Sequence, residues 1–285
     1  MKLLIISGMS GSGKSVALNV LEDIGYLCID NLPLGLLPSF AKQLGTETYA
    51  DVDKVAIGID IRNRGEDLAQ FPQLLDSLNM MGLECQTFFL NAKHDILIKR
   101  FSETRRKHPL SSEQLPLNEA IEQEFLLLDP VISHADLQID TSYTTLHQLR
   151  RQIIERVNAL THHNMSIQLL SFGFKHGIPT DADFVFDVRC LPNPHWIPEL
   201  QSLTGRDKGI VDYLSKSDSV NQMQEQLGQF IHNWIPEFKA DNRSYLTIAI
   251  GCTGGQHRSV YMVEQLGKQL QAQHSDLMIR HRELA

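Results

Sequence analysis

The sequence predicts an α/β protein with a mainly parallel sheet covered by helices on both faces, followed by a second α/β domain. Three observations lead to this prediction. Apolar, strand-like runs alternate with helical stretches through the first half of the 285 residues. A glycine-rich turn joins a strand to a helix at residues 8–15, and another does so at residues 252–259. Alternation of this kind is typical of parallel sheets, because parallel strands need a crossover between them.

Length and composition favour a soluble protein of two domains. Hydrophobic residues make up 42% of the chain and charged residues 21%, which is ordinary for a globular protein. The net charge of −8 argues against a wholly basic nucleic-acid-binding protein, but allows a local basic patch. The four cysteines are scattered, and we see no leader and no apolar run long enough to cross a bilayer. We expect a cytoplasmic protein with reduced thiols, no membrane contact, and domains at residues 1–162 and 163–285.

The elements of the first half follow from apolar runs and helical periodicity. The predicted strands are Lys2–Ser7, Tyr26–Ile29, Val55–Ile61, Cys85–Asn91 and Ala135–Ile139, and the predicted helices span residues 14–24, 66–80, 94–104, 116–128 and 144–160. In parallel sheets, ligands bind beyond the carboxyl ends of the strands. The first glycine-rich turn falls at such an end.

The second half is long enough to form a domain of its own. Its predicted strands are Ile167–Leu170, Phe184–Val188, Leu246–Ile250 and a strand-like segment from Leu277, with helices at residues 219–233 and 258–272. The second glycine-rich turn again joins a strand to a helix.

The first turn reads GMSGSGKS and fits the pattern G-x-x-x-x-G-K-S. It follows an apolar strand and precedes a helix, which is the context that this phosphate-binding loop requires. Backbone N–H groups of the loop and the helix start face phosphate oxygens, Lys14 reaches the β- and γ-phosphates, and the Ser15 hydroxyl ligates Mg²⁺. The predicted nucleotide-binding loop comprises Gly8, Met9, Ser10, Gly11, Ser12, Gly13, Lys14 and Ser15.

An acidic residue follows another apolar strand of the first half. The run from Val55 leads into Asp60, the arrangement of a Mg²⁺-site carboxylate in P-loop proteins. A capping role in a loop explains so short a pattern equally well. Asp30, just beyond the preceding strand, is a competing candidate for a base or metal ligand. We predict that Lys14, Ser15 and Asp60 act on the phosphates.

The segment KRFSETRRKHP carries a run of Lys and Arg with one acid. A lid over the phosphates is favoured for Arg100 and Arg105, because guanidinium pairs with phosphate through two hydrogen bonds. A solvated helix face and contact with an RNA backbone are the alternatives.

The second turn, GCTGGQHRS, contains Cys252, Gly255, Arg258 and Ser259 at the spacing C-x-x-G-x-x-R-S. This spacing matches the loop of cysteine-dependent phosphatases. A helix start and an arginine lower the pKa of a thiol, so Cys252 is a candidate nucleophile. The alternative is binding of a phosphorylated metabolite or an RNA phosphate without catalysis. Polar clusters at residues 174–177, 187–189 and 192–196 also follow strand ends or loops, and predict a pocket nearby.

Together these segments resemble the RapZ/YvcJ family of bacterial nucleotide-binding proteins. The resemblance extends over essentially the whole chain. It rests on GMSGSGKSVALNVLEDIGY, CIDNLP, DIRN, FSETRRKHPLS, SFGFKHGIP, VFDVRCLPNPHW and GCTGGQHRSVYMVEQL. Several of these segments are long and idiosyncratic, so the resemblance is specific at the level of the family.

The resemblance implies two ligand sites. The first domain, of the P-loop NTPase and kinase type, is expected to bind ATP at Gly8–Ser15 with Mg²⁺, and to hydrolyse nucleotide weakly. GTP is expected at Asp60, Ile61, Arg62 and Asn63. The second domain is expected to resemble a sugar-phosphate-binding domain and to hold an amino-sugar phosphate. By motif match, its pocket uses Asp187, Arg189, His195, Cys252, Thr253, Gly254, His257 and Arg258.

The resemblance also implies a regulatory role. Enterobacterial members of the family bind a small regulatory RNA, present it to an endoribonuclease and so control amino-sugar synthesis, and they act as homo-oligomers. The basic residues expected to contact RNA in this chain are Lys268, Arg280, His281 and Arg282. A small-molecule kinase and a phosphatase that uses Cys252 are the alternative functions.

Overall fold

The structure is a computed structural model that describes residues 2–46, 49, 52–63, 65–161, 165–241, 243–271, 274 and 277–284. Its contacts divide the chain into two compact units, Met1–Val157 and Asn158–Ala285. Residue 162, where the sequence predicts the domain boundary, lies outside the described residues.

The first unit alternates strands and helices. Its strands are β1 (Lys2–Gly8), β2 (Leu27–Ile29), β3 (Lys54–Gly58), β4 (Glu84–Asn91) and β5 (Leu137–Asp140). Its helices are α1 (Lys14–Asp23), α2 (Leu37–Leu44), α3 (Gly65–Ala69), α4 (Phe71–Met80), α5 (His94–Thr104), α6 (Leu117–Leu127), α7 (Asp129–Ile132) and α8 (Leu146–Thr161), with a 3-10 turn at Leu34–Leu36. The predicted α/β class is confirmed.

The five strands of the first unit form a parallel sheet in the order β2-β3-β1-β4-β5. After β1 the chain forms β2 and β3 on one side of β1, and it then crosses to the other side to form β4 and β5. Because β-α-β crossovers are right-handed, this reversal of direction places helices on both faces of the sheet. All five strands end at the same edge, and β1 lies in the middle of it.

Apolar side chains of the central strands build the core of this unit. Leu3, Ile5, Val55 and Ile57 are essentially inaccessible and pack in one cluster with Phe71, whose helix covers that face. Each such side chain contributes about 1.5–3 kcal/mol by leaving water. The carboxyl ends of β1 and β3 are therefore held rigidly side by side.

The second unit is also α/β. Its strands are β6 (Ser166–Gly173), β7 (Phe184–Asp187), β8 (Tyr245–Cys252) and β9 (Leu277–His281). Its helices are α9 (Lys208–Leu214), α10 (Asp218–Ala240) and α11 (Arg258–Gln271), with 3-10 turns at Phe174–His176, Pro194–Trp196 and Pro198–Leu200.

The four strands of the second unit are parallel and ordered β7-β8-β6-β9. Gly173 pairs with Cys252, so β6 and β8 end level with each other at one edge. Leu169, Ile248 and Ile250 of the sheet share a core with the apolar face of α11. The second glycine-rich turn begins at this edge, between β8 and α11.

Proline explains where the predicted helix at residues 66–80 differs from the structure. That helix is divided into α3 and α4, and Pro72 lies in the first turn of α4. Proline has no N–H to donate within a helix, so it favours a new start. The predicted helix at 116–128 matches α6 (Leu117–Leu127), and the short helix α7, which carries Pro130 in its first turn, follows it.

Other boundaries also differ. β3 ends at Gly58, three residues earlier than predicted, because Asp60 and the residues after it form a turn. α10 continues to Ala240, beyond the predicted end at residue 233, and contains Pro236. α2 and α9 were not predicted. Among the helices in the described ranges, none is both long and apolar enough to cross a membrane.

Candidate functional site

The turn between β1 and α1 has the backbone shape of a phosphate-binding loop. Gly13 has φ of 108°, a conformation that side chains rarely allow, and a Cβ there would lie 2.8 Å from Leu149 Cδ2. At Gly8 a Cβ would collide with the carbonyl oxygen of Leu90 on β4. Only glycine fits these two positions. The loop therefore delivers the N-terminus of α1, with its free N–H groups, to the edge of the sheet.

Lys14 lies at the start of α1 and points back over the loop. Its Nζ donates to the Gly8 carbonyl oxygen at 3.2 Å and lies 3.3 Å from Asp60 Oδ2. The Lys14 side chain is 10% exposed. The Ser15 side chain, next along the helix, is exposed. A cation and a carboxylate thus meet beyond the ends of β1 and β3, and Ser15 follows the cation along α1.

Asp60 is buried and held by Arg62. The Arg62 guanidinium donates Nε–H to Oδ1 at 3.0 Å and Nη2–H to Oδ2 at 2.6 Å, and the Arg62 backbone N–H donates to Oδ1 at 2.9 Å. Burial raises the pKa of the Asp60 carboxyl, but the hydrogen bonds from Arg62 and the charge of Lys14 outweigh it and hold that pKa below its usual range. Asp60 is therefore ionised at neutral pH. The competing acid, Asp30, is half-exposed and lies 3.8 Å from Arg62 Nη2.

Three of the predicted nucleotide-binding residues have their side chains in the interior. Met9 and Ile61 are buried in the core of the first unit. The Asn63 amide donates to the Asp60 carbonyl oxygen at 3.3 Å and accepts the Leu34 N–H at 2.8 Å. These three side chains shape the two loops, and do not project from them.

The loop also contains buried polar atoms suited to a ligand. The Ser12 hydroxyl is buried and has no hydrogen-bond partner among the described residues. A buried hydroxyl without a partner is costly unless a ligand or water supplies one. Together with the glycine cradle, this hydroxyl indicates a site that fits a phosphate group.

Sequence reasoning missed two residues: Glu124, which contacts the loop, and His108, which contacts Glu124. Glu124 of α6 accepts the Ser10 N–H at 3.0 Å from each carboxylate oxygen, and accepts the Ser10 hydroxyl at 2.7 Å. His108 Nε2 lies 2.9 Å from Glu124 Oε2. The separation of 114 residues between Ser10 and Glu124 leaves no signal in any local pattern.

The predicted lid arginines lie in different surroundings. Arg100 donates to the Gly11 carbonyl oxygen at 3.0 Å and to the Thr141 carbonyl oxygen at 2.6 Å, so it braces the loop from outside. Arg105 ends α5 with φ of 52° and is exposed, as are Arg106 and Lys107. Of the two, only Arg105 is exposed, and its role in a lid stays a prediction.

The turn between β8 and α11 surrounds a buried thiol. Cys252 is 3% exposed, its Sγ accepts the Gly255 N–H at 3.2 Å, and the Ser259 hydroxyl lies 3.1 Å away. Thr253 is exposed and Gly254 is partly exposed at the top of the turn. Because the thiol lies below these residues, it supports the turn from inside.

Arg258 is directed at backbone carbonyls. Its Nη1 donates to Arg189 O at 2.8 Å and Leu191 O at 3.1 Å, and its Nη2 lies 3.3 Å from the Thr253 hydroxyl. Its Nε is buried and has no hydrogen-bond partner within the described part of the chain. This arrangement ties α11 to the loop after β7. It leaves the guanidinium with few donors for a phosphate dianion beside Cys252.

Asp187 and Arg189 repeat the geometry of Asp60 and Arg62. Arg189 donates Nε–H to Asp187 Oδ1 at 3.0 Å, Nη2–H to Oδ2 at 2.7 Å and its backbone N–H to Oδ1 at 2.9 Å. Hydrogen bonds from Arg189 hold the pKa of Asp187 below its usual range. The Arg189 side chain is 50% exposed and lies over the Phe174 ring, 4.1 Å from its centroid. A preoriented, exposed guanidinium is suited to an anion.

Two histidines of this unit lie close to each other. The His257 ring is 6.3 Å from that of His195, and His257 Nε2 is buried with no hydrogen-bond partner in the described ranges. Burial lowers the pKa of His257, so its imidazole is neutral at neutral pH. His195 is exposed, and its Nε2 lies 3.1 Å from the Gln201 amide nitrogen. The structure thus brings the predicted pocket residues of the second unit to one edge of its sheet.

The basic C-terminal residues do not form one surface. Lys268 is exposed and Arg280 is partly exposed. The side chains of His281 and Arg282 are only 3% and 5% exposed. Arg282 donates to the carbonyl oxygens of Gly173 and Gly177 at 3.1 and 2.8 Å. RNA contact by His281 and Arg282 stays a prediction, and their burial does not support it.

Comparisons with known proteins cover the whole chain. Residues 1–161 match the family model of the RapZ-like N-terminal domain, and residues 165–285 match that of the RapZ C-terminal domain. A nucleotide-binding protein of Methylococcus capsulatus is 54% identical over 284 residues, covering 100% of this chain and 96% of that protein. A nucleotide-binding protein of Nitrosococcus oceani is 55% identical over 285 residues, covering 100% of both.

Solved structures match the first half of the chain more distantly. A gluconokinase from Sinorhizobium meliloti is 17% identical with a TM-score of 0.39, covering 56% of this chain and 94% of that one. A shikimate kinase from Bacteroides thetaiotaomicron is 18% identical with a TM-score of 0.38, covering 56% and 98%.

Proposed function

The chain belongs to the RapZ family, and from this premise we propose that its first unit binds ATP or GTP with Mg²⁺ and hydrolyses the nucleotide slowly. One observation carries the proposal. Lys14 Nζ and the ionised Asp60 lie 3.3 Å apart beside the N-terminus of α1, where a glycine cradle leaves room for phosphate.

Each residue of this group has a distinct task. Lys14 exchanges the Gly8 carbonyl oxygen for phosphate oxygens and stabilises their charge. The Ser15 hydroxyl and the Asp60 carboxylate are oxygen ligands of the kind that Mg²⁺ prefers, and the metal when bound neutralises phosphate charge. Arg62 donates to both oxygens of Asp60 and so holds the carboxylate in place beside Lys14.

Replacing the loop lysine tests the proposal. We expect Lys14→Ala to weaken binding of a fluorescent ATP analogue by about tenfold or more, because a charge-assisted hydrogen bond contributes about 1.5–3 kcal/mol. The measurement is an equilibrium titration in the presence of Mg²⁺. Lys54→Ala is the matched control, since Lys54 begins β3 at the opposite edge of the sheet. Equal affinity of Lys14→Ala and wild type would contradict the proposal.

For the second unit we propose binding of an amino-sugar phosphate. The exposed guanidinium of Arg189, held by Asp187 over an aromatic ring, supports recognition of the phosphate. The Nε2 of the neutral His257, which has no hydrogen-bond partner among the described residues, can donate to or accept from a sugar hydroxyl. Asp187, at 44% side-chain exposure, is an acceptor within reach of an ammonium group.

The family resemblance further supports a regulatory output. We propose that the sugar phosphate controls binding of a small regulatory RNA, which a homo-oligomer of this chain presents to an endoribonuclease. Of the expected RNA contacts, the exposed Lys268 and partly exposed Arg280 are the accessible ones. Filter binding of RNA to wild type and to Lys268→Ala at two salt concentrations tests this role, and a salt slope identical in both would count against it.

A further inference from the structure

Glu124 is a fully buried carboxylate that lies against the P-loop. It is 0% exposed, and its two oxygens accept the Ser10 N–H and the Ser10 hydroxyl. A buried carboxylate is stable only when hydrogen-bond donors replace its water shell. Here the loop supplies two of those donors. The orientation of Ser10 and that of Glu124 are therefore mutually dependent.

His108 fixes the carboxylate from the other side. Its Nδ1 accepts the Leu110 N–H at 3.2 Å, so the ring proton is on Nε2, which donates to Glu124 Oε2 at 2.9 Å. The ring is 2% exposed and lies 5.1 Å from that of Phe101. The Leu110 N–H thereby fixes the tautomer and orientation of the His108 ring, and the ring fixes the position of the Glu124 carboxylate.

We propose that Glu124 is a positioning residue for nucleotide binding, a role that rests on the proposed function of the first unit. With His108 it holds the P-loop in its binding shape before the nucleotide arrives. Ser10 then serves as the anchor of the loop, because both its N–H and its hydroxyl are occupied by Glu124. A preorganised loop avoids the entropic cost of ordering on binding.

Charge and positioning predict opposite effects for Glu124→Gln. Removing a negative charge near an anion site would by itself tighten nucleotide binding. As a positioning group, however, Glu124 uses both oxygens. A glutamine NH₂ in the place of Oε2 faces the Nε2–H of His108, and two donors that face each other cannot form a hydrogen bond. An NH₂ in the place of Oε1 can donate to the Ser10 hydroxyl, but it leaves the Ser10 N–H with one acceptor in place of two. In either orientation a hydrogen bond that fixes Ser10 or residue 124 is lost, so the loop is held less firmly and binding weakens.

The experiment compares wild type, Glu124→Gln and Asp136→Asn. Asp136 is the control, since its carboxylate also accepts a backbone N–H, that of Thr87 at 2.7 Å, but it is exposed and lies just before β5, away from the P-loop. Binding of a fluorescent ATP analogue with Mg²⁺ is titrated, and thermal unfolding is measured without nucleotide. We expect Glu124→Gln to bind about tenfold more weakly. Asp136→Asn should keep its affinity within about twofold, even if its unfolding temperature falls by as much as that of Glu124→Gln.

Each outcome decides the inference. Unchanged or tighter binding by Glu124→Gln overturns it, as does equal weakening in Asp136→Asn, which would show a general loss of stability. Failure of wild type to bind the analogue contradicts the proposed function instead. If Glu124→Gln does not fold, Ser10→Ala removes one donor alone. About threefold weaker binding is then expected, and unchanged affinity overturns the inference.

Discussion

Arg282 is a charged residue that supports the second glycine-rich turn from inside the unit. Its guanidinium donates to Gly173 and Gly177, its Nε–H donates to Glu283 at 2.8 Å, and it lies over the Phe172 ring. The carboxylate of Glu283 in turn lies against Gly255 of the second glycine-rich turn. Arg282 therefore supports the turn from below.

At this scale we predict that Arg282→Ala destabilises the second unit. Removing a buried arginine leaves two carbonyls and Glu283 without their partner, at a cost of about 2–4 kcal/mol. This corresponds to a fall of about 5–10 °C in unfolding temperature, measured by calorimetry. Lys268→Ala is the control and should leave that temperature within about 2 °C, because Lys268 is exposed. An unchanged unfolding temperature for Arg282→Ala would refute the supporting role.

Residue type alone could not show whether Arg282 contacts RNA on a basic surface or supports the second glycine-rich turn from inside. An arginine near a chain end suggests a basic surface, whereas burial depends on Gly173, which is 109 residues away in sequence. The same limit applies to Glu124, whose partner is Ser10. Gly8–Ser15 and Asp60 could be predicted as site residues because the patterns that indicate them lie in adjacent residues.

At the scale of elements, the sequence predicts most strands and helices because their apolar periodicity is local. α5 spans His94–Thr104, as predicted. Errors occur where a local event competes with periodicity, as when Pro72 starts α4 inside the predicted helix at 66–80. α2 and α9 are short, at eight and seven residues, and offer little periodicity to detect.

Each unit contains a glycine-rich strand–turn–helix element, and the two elements have similar neighbours. β1 leads to Lys14-Ser15 at the start of α1, and β8 leads to Arg258-Ser259 at the start of α11. In both sheets an Asp-x-Arg pair lies at the end of the adjacent strand, Asp60 with Arg62 after β3 and Asp187 with Arg189 at the end of β7. We call each pair a clip, because its arginine donates to both oxygens of the aspartate. The repetition supports anion binding at both edges.

The two clips differ in burial, and this predicts different uses. The Asp60 side chain is 5% exposed and pairs with Lys14, whereas the Asp187 side chain is 44% exposed. A buried clip suits a site that orients a lysine and a metal. An open clip suits a ligand that contacts both the acid and the arginine.

For the whole molecule, the central claim is that the chain has two anion sites with separate ligands. Arg62→Ala and Arg189→Ala open the equivalent clip in each unit, so they form a matched pair. Isothermal titration of each full-length variant with ATP and Mg²⁺, and separately with glucosamine 6-phosphate, tests the claim most directly. We predict that Arg62→Ala weakens only ATP binding and Arg189→Ala only sugar-phosphate binding, each by about tenfold. Equal loss of both ligands in either variant, or no loss in Arg189→Ala, would contradict it.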